Sequence, residues 1–319
     1  MHIGRAGYTP QNMSMEIIRS GEDIPDAATG TVLAVGNFDG VHRGHQALIG
    51  AARDIAKKEK RRLGVLTFEP HPRNLFRPDD PPFRITPFEV KARRLEECGV
   101  EVAFCLTFDW DFASQSAEVF TDTVLGNSIR PARVVAGADF CFGQLRKGTP
   151  ETLKQAGLAV TVIDKTGDED GETYSSSAIR AALRQGDIAK ANAMLGWEWE
   201  MEGAIVKGDQ RGRGLGFPTA NVHPGETIHP AYGVYATWVN IEGEKEWRQA
   251  ATNIGIRPMF EVPVGQVEAH ILDFDRDIYG NTLRVKPVKR LRGEARFESL
   301  EALVAQIGRD CEEARAVLK

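Results

Sequence analysis

The order of the apolar runs along the chain limits its fold more than any other feature. Between residues 31 and about 196, short and almost wholly apolar runs alternate with helical patterns. The runs typical of strands are residues 31–35, 64–68, 100–106, 133–136 and 158–163. Strands that are apolar on both sides and alternate with helices form a parallel sheet covered by helices. This half is therefore predicted to be an α/β domain.

The pattern changes after residue 196. GVYATWVNI (residues 233–241) and QVEAHILDF (residues 266–274) alternate between apolar and polar residues, and turns rich in glycine and proline separate such runs. Alternation of this kind indicates antiparallel strands, so this half is predicted to be a small β-barrel. An amphipathic helix is predicted from about Ser299 to the end. The two predicted domains are residues 15–190 and 197–319, after a loose N-terminal tail.

Three helices of the first half have a recognisable start. Thr86 is followed by Pro87 and by Glu89 three residues on, which predicts a capping box with proline in the first turn. Thr149 and its following proline predict another start. Ser176 is predicted to cap the helix that carries Arg180.

Composition excludes several classes of protein. Lys+Arg number 40 against Asp+Glu 45, a net charge of −5, which argues against a nucleic-acid binder. No apolar run approaches the ~20 residues of a membrane helix, and the N-terminus lacks the apolar core of a signal peptide. The four scattered cysteines form no C-x-x-C pair and are predicted to be free thiols. The sequence predicts a cytoplasmic protein without nucleic-acid or membrane partners and leaves its oligomeric state open.

A glycine- and histidine-rich segment, GNFDGVHRGHQ (residues 36–46), follows the first buried strand and opens a helix. Ligands of parallel sheets bind at the carboxyl ends of strands, where helix N-termini attract phosphate. Gly36 and Gly44 allow close approach, and His42 and His45 supply donors that are strongest when protonated. Neither G-x-x-x-x-G-K-[ST] nor G-x-G-x-x-G after a strand is present. The alternative is an ordinary glycine turn with two solvated histidines.

Other polar residues follow later strands of the same half. Glu69 begins a proline-stiffened loop that suits the wall of a cleft, and Asp139 could reach a ribose, a base or a metal. Ser176 and Arg180 could form a second anion site facing the histidines. A rigid connector, a solvated aspartate and simple helix capping are the respective alternatives.

The second half has its own candidate site. Five glycines between residues 203 and 216, among them Gly214 and Gly216, could fold over phosphates, although a flexible hairpin is the alternative. Thr219 and Asn221 lie two apart, so both oxygens face one side of an extended segment and suit Mg²⁺; turn formation is the alternative. Further on, residues 267, 269 and 271 form an apolar core face, so Glu268 points to solvent or to a cleft.

Several of these segments resemble known families. H-x-G-H after a first buried strand resembles the signature of the nucleotidylyltransferase superfamily. GNFDGVHRGHQ, TFEPHP, GADFCFG and SSSAIR resemble the adenylyltransferase module of bacterial bifunctional riboflavin kinase/FMN adenylyltransferases, or FAD synthetases. GRGLGFPTAN, GVYA, NIGIRPMF and VEAHILDFDRDIYG resemble the riboflavin kinase module. Met259 departs from the family, which usually has threonine there.

The resemblance implies a Rossmann-like first domain, a β-barrel second domain and two active sites. It implies that the barrel phosphorylates riboflavin to FMN and that the first domain adenylylates FMN to FAD, with ATP as co-substrate and Mg²⁺ as cofactor. The implied catalytic residues are Glu268, His42, His45 and Arg180, with Thr219 and Asn221 as metal ligands. The implied nucleotide- or substrate-binding residues are Gly36, Asn37, Phe38, Asp39, Gly44, Glu69, Asp139, Ser176, Gly214 and Gly216.

Two other interpretations carry less weight. A tRNA synthetase fragment shares an H-x-G-H-like motif, but no KMSKS-like string is present and the β domain shows no basic face. A non-catalytic flavin- or RNA-binding protein could keep the same folds. The presence of Glu268 together with His42 and His45 argues against such a loss of catalysis.

Overall fold

The computed structural model describes residues 14–167, 171, 173–207, 211–257 and 264–319. The predicted loose tail and Met259 lie outside the described residues. The chain forms two compact units: the first contains residues up to 80 and Thr86–Tyr174, and the second contains Pro81–Ile85 and Ser175–Lys319. The predicted functional boundary between residues 190 and 197 stays a prediction.

The first unit is built on a six-stranded sheet in the order β1-β4-β3-β2-β5-β6. Every pairing in it is parallel, as the alternation of strands and helices predicts. Its strands are β1 Glu16–Arg19, β2 Val32–Val35, β3 Leu63–Glu69, β4 Val102–Thr107, β5 Arg133–Gly137 and β6 Val160–Ile163. Its α-helices are α1 Arg43–Glu59, α2 Pro72–Phe76, α3 Phe88–Glu97, α4 Trp110–Ala113, α5 Ala117–Val119 and α6 Pro150–Gln155. A π-helix, Phe120–Ile129, continues α5, and short 3₁₀ turns lie at Asp26–Ala28 and Gln144–Arg146.

The central strand β2 explains where a ligand site can form. All of its residues are buried, because apolar clusters cover both faces of the sheet. The chain leaves β2 for β3 and β4 on one side and returns to β5 on the other. The crevice at such a reversal, outside the carboxyl ends of the strands, is where open parallel sheets bind ligands.

Two of the three predicted helix starts need correction. The capping box at Thr86 is wrong: α3 begins after Pro87, which makes no side-chain capping bond, because the fully buried Thr86 bonds to a distant loop instead. Ser175, not Ser176, caps its helix, because Ser175 has the extended backbone of a capping residue. The start at Thr149 is confirmed, and there the capping box is complete.

The second unit is a closed antiparallel barrel with strands in the order β10-β11-β8-β7-β12-β9. The bounds are β7 Met201–Val206, β8 Ala220–Val222, β9 Gly233–Ile241, β10 Arg248–Arg257, β11 Val264–Ile271 and β12 Thr282–Arg292. The helices of this unit are α7 Ser176–Gln185, α8 Ile188–Leu195, α9 Arg211–Gly214 and α10 Leu300–Val317. Helix α10 is capped by Ser299 and packs its apolar side on the barrel. The predicted barrel with a terminal helix is confirmed.

All four cysteines are free, as predicted. Burial raises the pKa of the Cys311 thiol to about 11, so this thiol is protonated at neutral pH and is a poor metal ligand. Among the described residues, no cluster of three or more His, Cys, Asp or Glu side chains could hold a metal ion. In the same part of the chain, no helix has the length and apolarity needed to cross a membrane.

Candidate active sites

Residues 36–42, here called the histidine loop, connect β2 to α1 in a strained conformation. Phe38, Gly40 and Val41 have φ values of 51°, 90° and 38°, in the left-handed region. This region is unfavourable for a β-branched residue such as Val41. Such a backbone persists only where its surroundings hold it, and strain of this kind is concentrated at functional sites.

Hydrogen bonds from neighbouring elements hold the start of the histidine loop at Asn37. The carbonyl of Asn37 accepts from Thr67 Oγ1 at 3.1 Å and from Lys91 Nζ at 3.4 Å. Lys91 Nζ also lies 2.6 Å from Glu69 Oε1. The loop is thereby connected to the end of β3.

The second part of the loop is held in the same way. Thr86 Oγ1 accepts the N–H of Gly40 at 2.9 Å, and the carboxylate of Asp39 accepts the N–H of Thr86 at 3.0 Å. Gln46 donates to the carbonyl of Val41 at 2.8 Å. Because Asp39 is 2% exposed, its carboxylate supports the loop from inside.

The loop ends in a pair of stacked imidazoles. His42 is the N-cap of α1, and its Nδ1 accepts the N–H of His45 at 3.3 Å. The ring centroids of His42 and His45 are 3.7 Å apart, with planes inclined by 19°. Because Nδ1 accepts in the cap, the tautomer that fits this bond carries a proton on Nε2. The expectation that His42 and His45 supply donors toward phosphate, strongest when protonated, stays a prediction.

Gly44 leaves the space that the His42 ring occupies. A Cβ at residue 44 would lie 3.1 Å from the His42 ring and 3.4 Å from the carbonyl of Tyr174. We expect Gly44→Ala to displace the imidazole and to lower the turnover of the first unit roughly tenfold, since small misplacements of this kind are costly. The steady-state rate of the reaction at the histidine loop measures this loss.

Gly50→Ala is the matched control, because residue 50 lies in the same helix and a Cβ there would meet nothing within 4 Å. Both variants gain helix propensity, up to ~1 kcal/mol, so thermal unfolding should not reveal a loss of stability in either. Equal activities of the two variants would contradict the role given to Gly44.

The other predicted residues of the first unit fall into two groups. Phe38 is 1% exposed and packs edge-on against His45 with 5.2 Å between centroids, while a Cβ at Gly36 would meet the Phe38 ring at 3.2 Å. Phe38 therefore supports the histidines from within the core. Asn37 is exposed. Glu69 is the last residue of β3 and Asp139 follows β5, so both lie at the carboxyl ends of the strands, as the histidine loop does.

Asp139 pairs with Lys165 at 3.0 Å, and both side chains are more than half exposed. Ser176 and Arg180 belong to the second unit, where Arg180 donates to the carbonyl of Phe83 at 2.8 Å. Their predicted placement opposite the histidines stays a prediction.

The sequence analysis did not predict an exposed aromatic cluster that lies at the carboxyl ends of the strands. Phe76 and Trp110 are 56% and 63% exposed, and their ring centroids are 5.6 Å apart. Phe108 lies beside Phe76 at 5.9 Å. Phe108 and Trp110 follow the end of β4 by one and three positions and Phe76 follows the end of β3 by seven, and this spacing was the only signal in the sequence. The rings meet edge-to-face, with interplanar angles of 81° and 75°, and leave an exposed apolar patch of the kind that often marks a binding site.

In the second unit, three polar side chains form a row across neighbouring strands. Glu268 on β11 is paired in register with Asn253 on β10 and with Asn221 on β8. All three line a cavity of about 790 Å³. The opposite face of β11 is buried, with Val267 and Ala269 at 0% exposure. The prediction that Glu268 points away from the core is confirmed, and the space before it is a cavity.

Gln266 was missed by the sequence reasoning. Its Nε2 donates to Glu268 Oε1 at 2.6 Å and to Asn221 Oδ1 at 2.8 Å. One amide therefore connects Glu268, an implied catalytic residue, with Asn221, an implied metal ligand. The only available signal was its position two residues before Glu268, on the same face of the strand.

Thr219 and Asn221 line two cavities at once. The larger is the one in front of Glu268, which α10 helps to enclose, and the smaller measures about 210 Å³ and is lined by a loop containing Asp275 and Tyr279. The predicted pair therefore lies where two ligands could meet. Gly214 and Gly216 are exposed and are not lining residues of either cavity.

Comparison with known proteins gives each half a separate match. A family model described as FAD synthetase matches residues 24–178, and one described as riboflavin kinase matches residues 195–318. A crystal structure described as a macrolide-efflux protein from Streptococcus pneumoniae has a TM-score of 0.82 and 32% identity, covering 95% of this chain and 99% of that chain.

Relatives named bifunctional riboflavin kinase/FMN adenylyltransferase match along the whole length. The protein of Escherichia coli (strain K12) is 40% identical over 300 residues, which cover 93% of this chain and 96% of that protein. The protein of Bacillus subtilis (strain 168) is 38% identical over 302 residues, covering 91% and 93%. With both family models matched and identity of this extent over most of both chains, the chain belongs to the bifunctional riboflavin kinase/FMN adenylyltransferase family.

Proposed function

We propose that the chain converts riboflavin to FMN at the barrel and FMN to FAD at the parallel sheet, using ATP in both steps. One observation carries this proposal: each family match contains one of the two candidate sites. The riboflavin kinase match includes the row of Asn221, Asn253 and Glu268, and the FAD synthetase match includes the histidine loop with Glu69 and Asp139.

The geometry of the barrel supports phosphoryl transfer. Glu268 takes the proton of the ribityl 5′-hydroxyl as that oxygen attacks the γ-phosphorus of ATP, and ADP leaves. In this proposal the flavin occupies the larger cavity, whose lining includes Glu268, and the triphosphate approaches from the smaller one. Thr219 and Asn221 lie where the two cavities share a wall, so the reacting groups meet beside them.

The donors of this wall fit Mg²⁺ that arrives with ATP. A hydroxyl and an amide oxygen are hard ligands, and Mg²⁺ in such sites is completed by water and substrate phosphates. When bound, the ion offsets charge on the transferred phosphate.

The histidine loop supports adenylyl transfer. The phosphate of FMN attacks the α-phosphorus of ATP, and pyrophosphate leaves, so no protein nucleophile is needed. Nε2–H of His42, the ring of His45 and the N-terminus of α1 hydrogen-bond to the phosphates and offset the charge that develops on them. The cluster of Phe76, Phe108 and Trp110 offers exposed apolar surface against which the isoalloxazine ring packs.

Time-resolved chromatography of flavins tests the proposal. With riboflavin, ATP and Mg²⁺, the purified protein should form FMN first and FAD afterwards, and without ATP neither should form. A flavin-binding protein without catalysis would instead show only a thermal shift that depends on flavin concentration. A shift without conversion would overturn the proposed function.

A further inference from the structure

A lysine charge is buried beneath the histidine loop. Lys91 lies on α3 and is 1% exposed, although a buried ammonium group is costly unless it is paired and hydrogen-bonded. Its Nζ finds three acceptors, one for each of its N–H groups: Glu69 Oε1 at 2.6 Å, Thr67 Oγ1 at 3.0 Å and the carbonyl of Asn37 at 3.4 Å. The ammonium group is thus fully bonded inside the protein.

These acceptors belong to two neighbouring strand ends. Glu69 is the last residue of β3, and Asn37 lies just after β2. Lys91 therefore connects the candidate wall residue Glu69 with the start of the loop that leads to His42. Thr67 completes the connection, since it donates to Asn37 at 3.1 Å while accepting from Lys91.

An ion pair at this depth adds little net stability compared with apolar side chains of the same volume. Its hydrogen bonds do fix the direction of the groups it joins. Glu69 is 17% exposed at the edge where ligands bind, so a change in its direction alters the site itself.

We propose that Lys91 is a positioning residue for adenylyl transfer, orienting Glu69 and the histidine loop without touching the substrates. This inference rests on the proposed function of the first unit.

Lys91→Met tests the proposal, because methionine keeps most of the volume and removes the charge. We expect kcat/KM for FAD formation from FMN to fall roughly 10²-fold, the effect of misplacing reacting groups by about 1 Å, with a rise in KM for ATP. FMN formation from riboflavin, measured in the same sample, should not change. A loss of folded protein alone would lower the apparent kcat and leave KM for ATP unaltered.

Two further variants separate positioning from stability. Arg133→Met breaks the 2.9 Å ion pair between Arg133 and Glu59 in the same unit. Arg133 is the first residue of β5, so this pair lies at the end of the sheet opposite the histidine loop. The variant should leave both reactions unchanged. Lys91→Met with Glu69→Gln removes the buried charges together and restores folding if the single variant loses it. This double variant should remain below Glu69→Gln alone in FAD formation.

The wild-type control separates this inference from the proposed function. If the wild type forms no FAD, the proposed function fails. If the wild type forms FAD and Lys91→Met matches it in kcat/KM, the positioning role of Lys91 is overturned. If the double variant equals Glu69→Gln, Lys91 acts through Glu69 alone, and its role in orienting the histidine loop is overturned. The positioning role as a whole is overturned if neither Lys91 variant folds, since Lys91 would then serve stability.

Discussion

Replacing Glu268 with glutamine is expected to lower riboflavin phosphorylation by roughly 10²–10⁴-fold, the usual contribution of a general base. Glutamine keeps the size of the side chain and its place in the row between Asn253 and Asn221, but it cannot take the proton of the attacking hydroxyl. The check is the initial rate of FMN formation from riboflavin. FAD formation from supplied FMN should continue at the wild-type rate.

Glu294→Gln is the matched control for this prediction. Glu294 lines the same cavity and its replacement removes the same charge, but it lies outside the row that joins β8, β10 and β11. Its effect on FMN formation should be small. Equal losses in the two variants would mean that the charge of the cavity matters, and that Glu268 is not the base.

Replacing His42 with alanine is expected to lower FAD formation by roughly 10²–10³-fold, the cost of losing a donor aimed at developing charge. FMN should accumulate, because the barrel is untouched. The change also removes the N-cap of α1, which costs about 1 kcal/mol of stability. Chromatography of the flavins and thermal unfolding measure the two effects separately.

His42→Asn separates the two tasks of this residue. Asparagine is among the best N-caps, so it should restore the unfolding temperature that alanine lowers, while FAD formation stays low because the imidazole Nε2–H is absent. Recovery of FAD formation in His42→Asn would show that only the cap is needed.

Much of the architecture follows from spacing along the chain. A fully apolar run such as β2 must be covered on both sides, and the alternation around Glu268 separates a core face from an open one. These patterns depend on near neighbours, so the parallel sheet, the barrel and the outward direction of Glu268 were all predicted correctly. The spacing of Thr219 and Asn221 could be read from the sequence for the same reason, and both residues line the same two cavities.

The helix starts show the limit of prediction from short sequence motifs. Thr86 has the residues of a capping box, yet it bonds to Asp39 and Gly40, 47 and 46 positions away. Burial decided this outcome, because the loop leaves a buried N–H and a buried carboxylate that need partners. A local motif describes one available bond and does not reveal a distant group that competes for it.

The residues that complete each site depend on which strands become neighbours. Lys91 reaches Asn37 across 54 positions, and Gln266 reaches Asn221 across 45. Periodicity along the chain identifies strands and their buried faces, but the order and register of strands come from the packing of the whole unit. The sequence was therefore sufficient for the classes of the two folds, and it supplied the hypothesis of which side chains react. The tertiary structure alone decided which buried groups hold those residues in place.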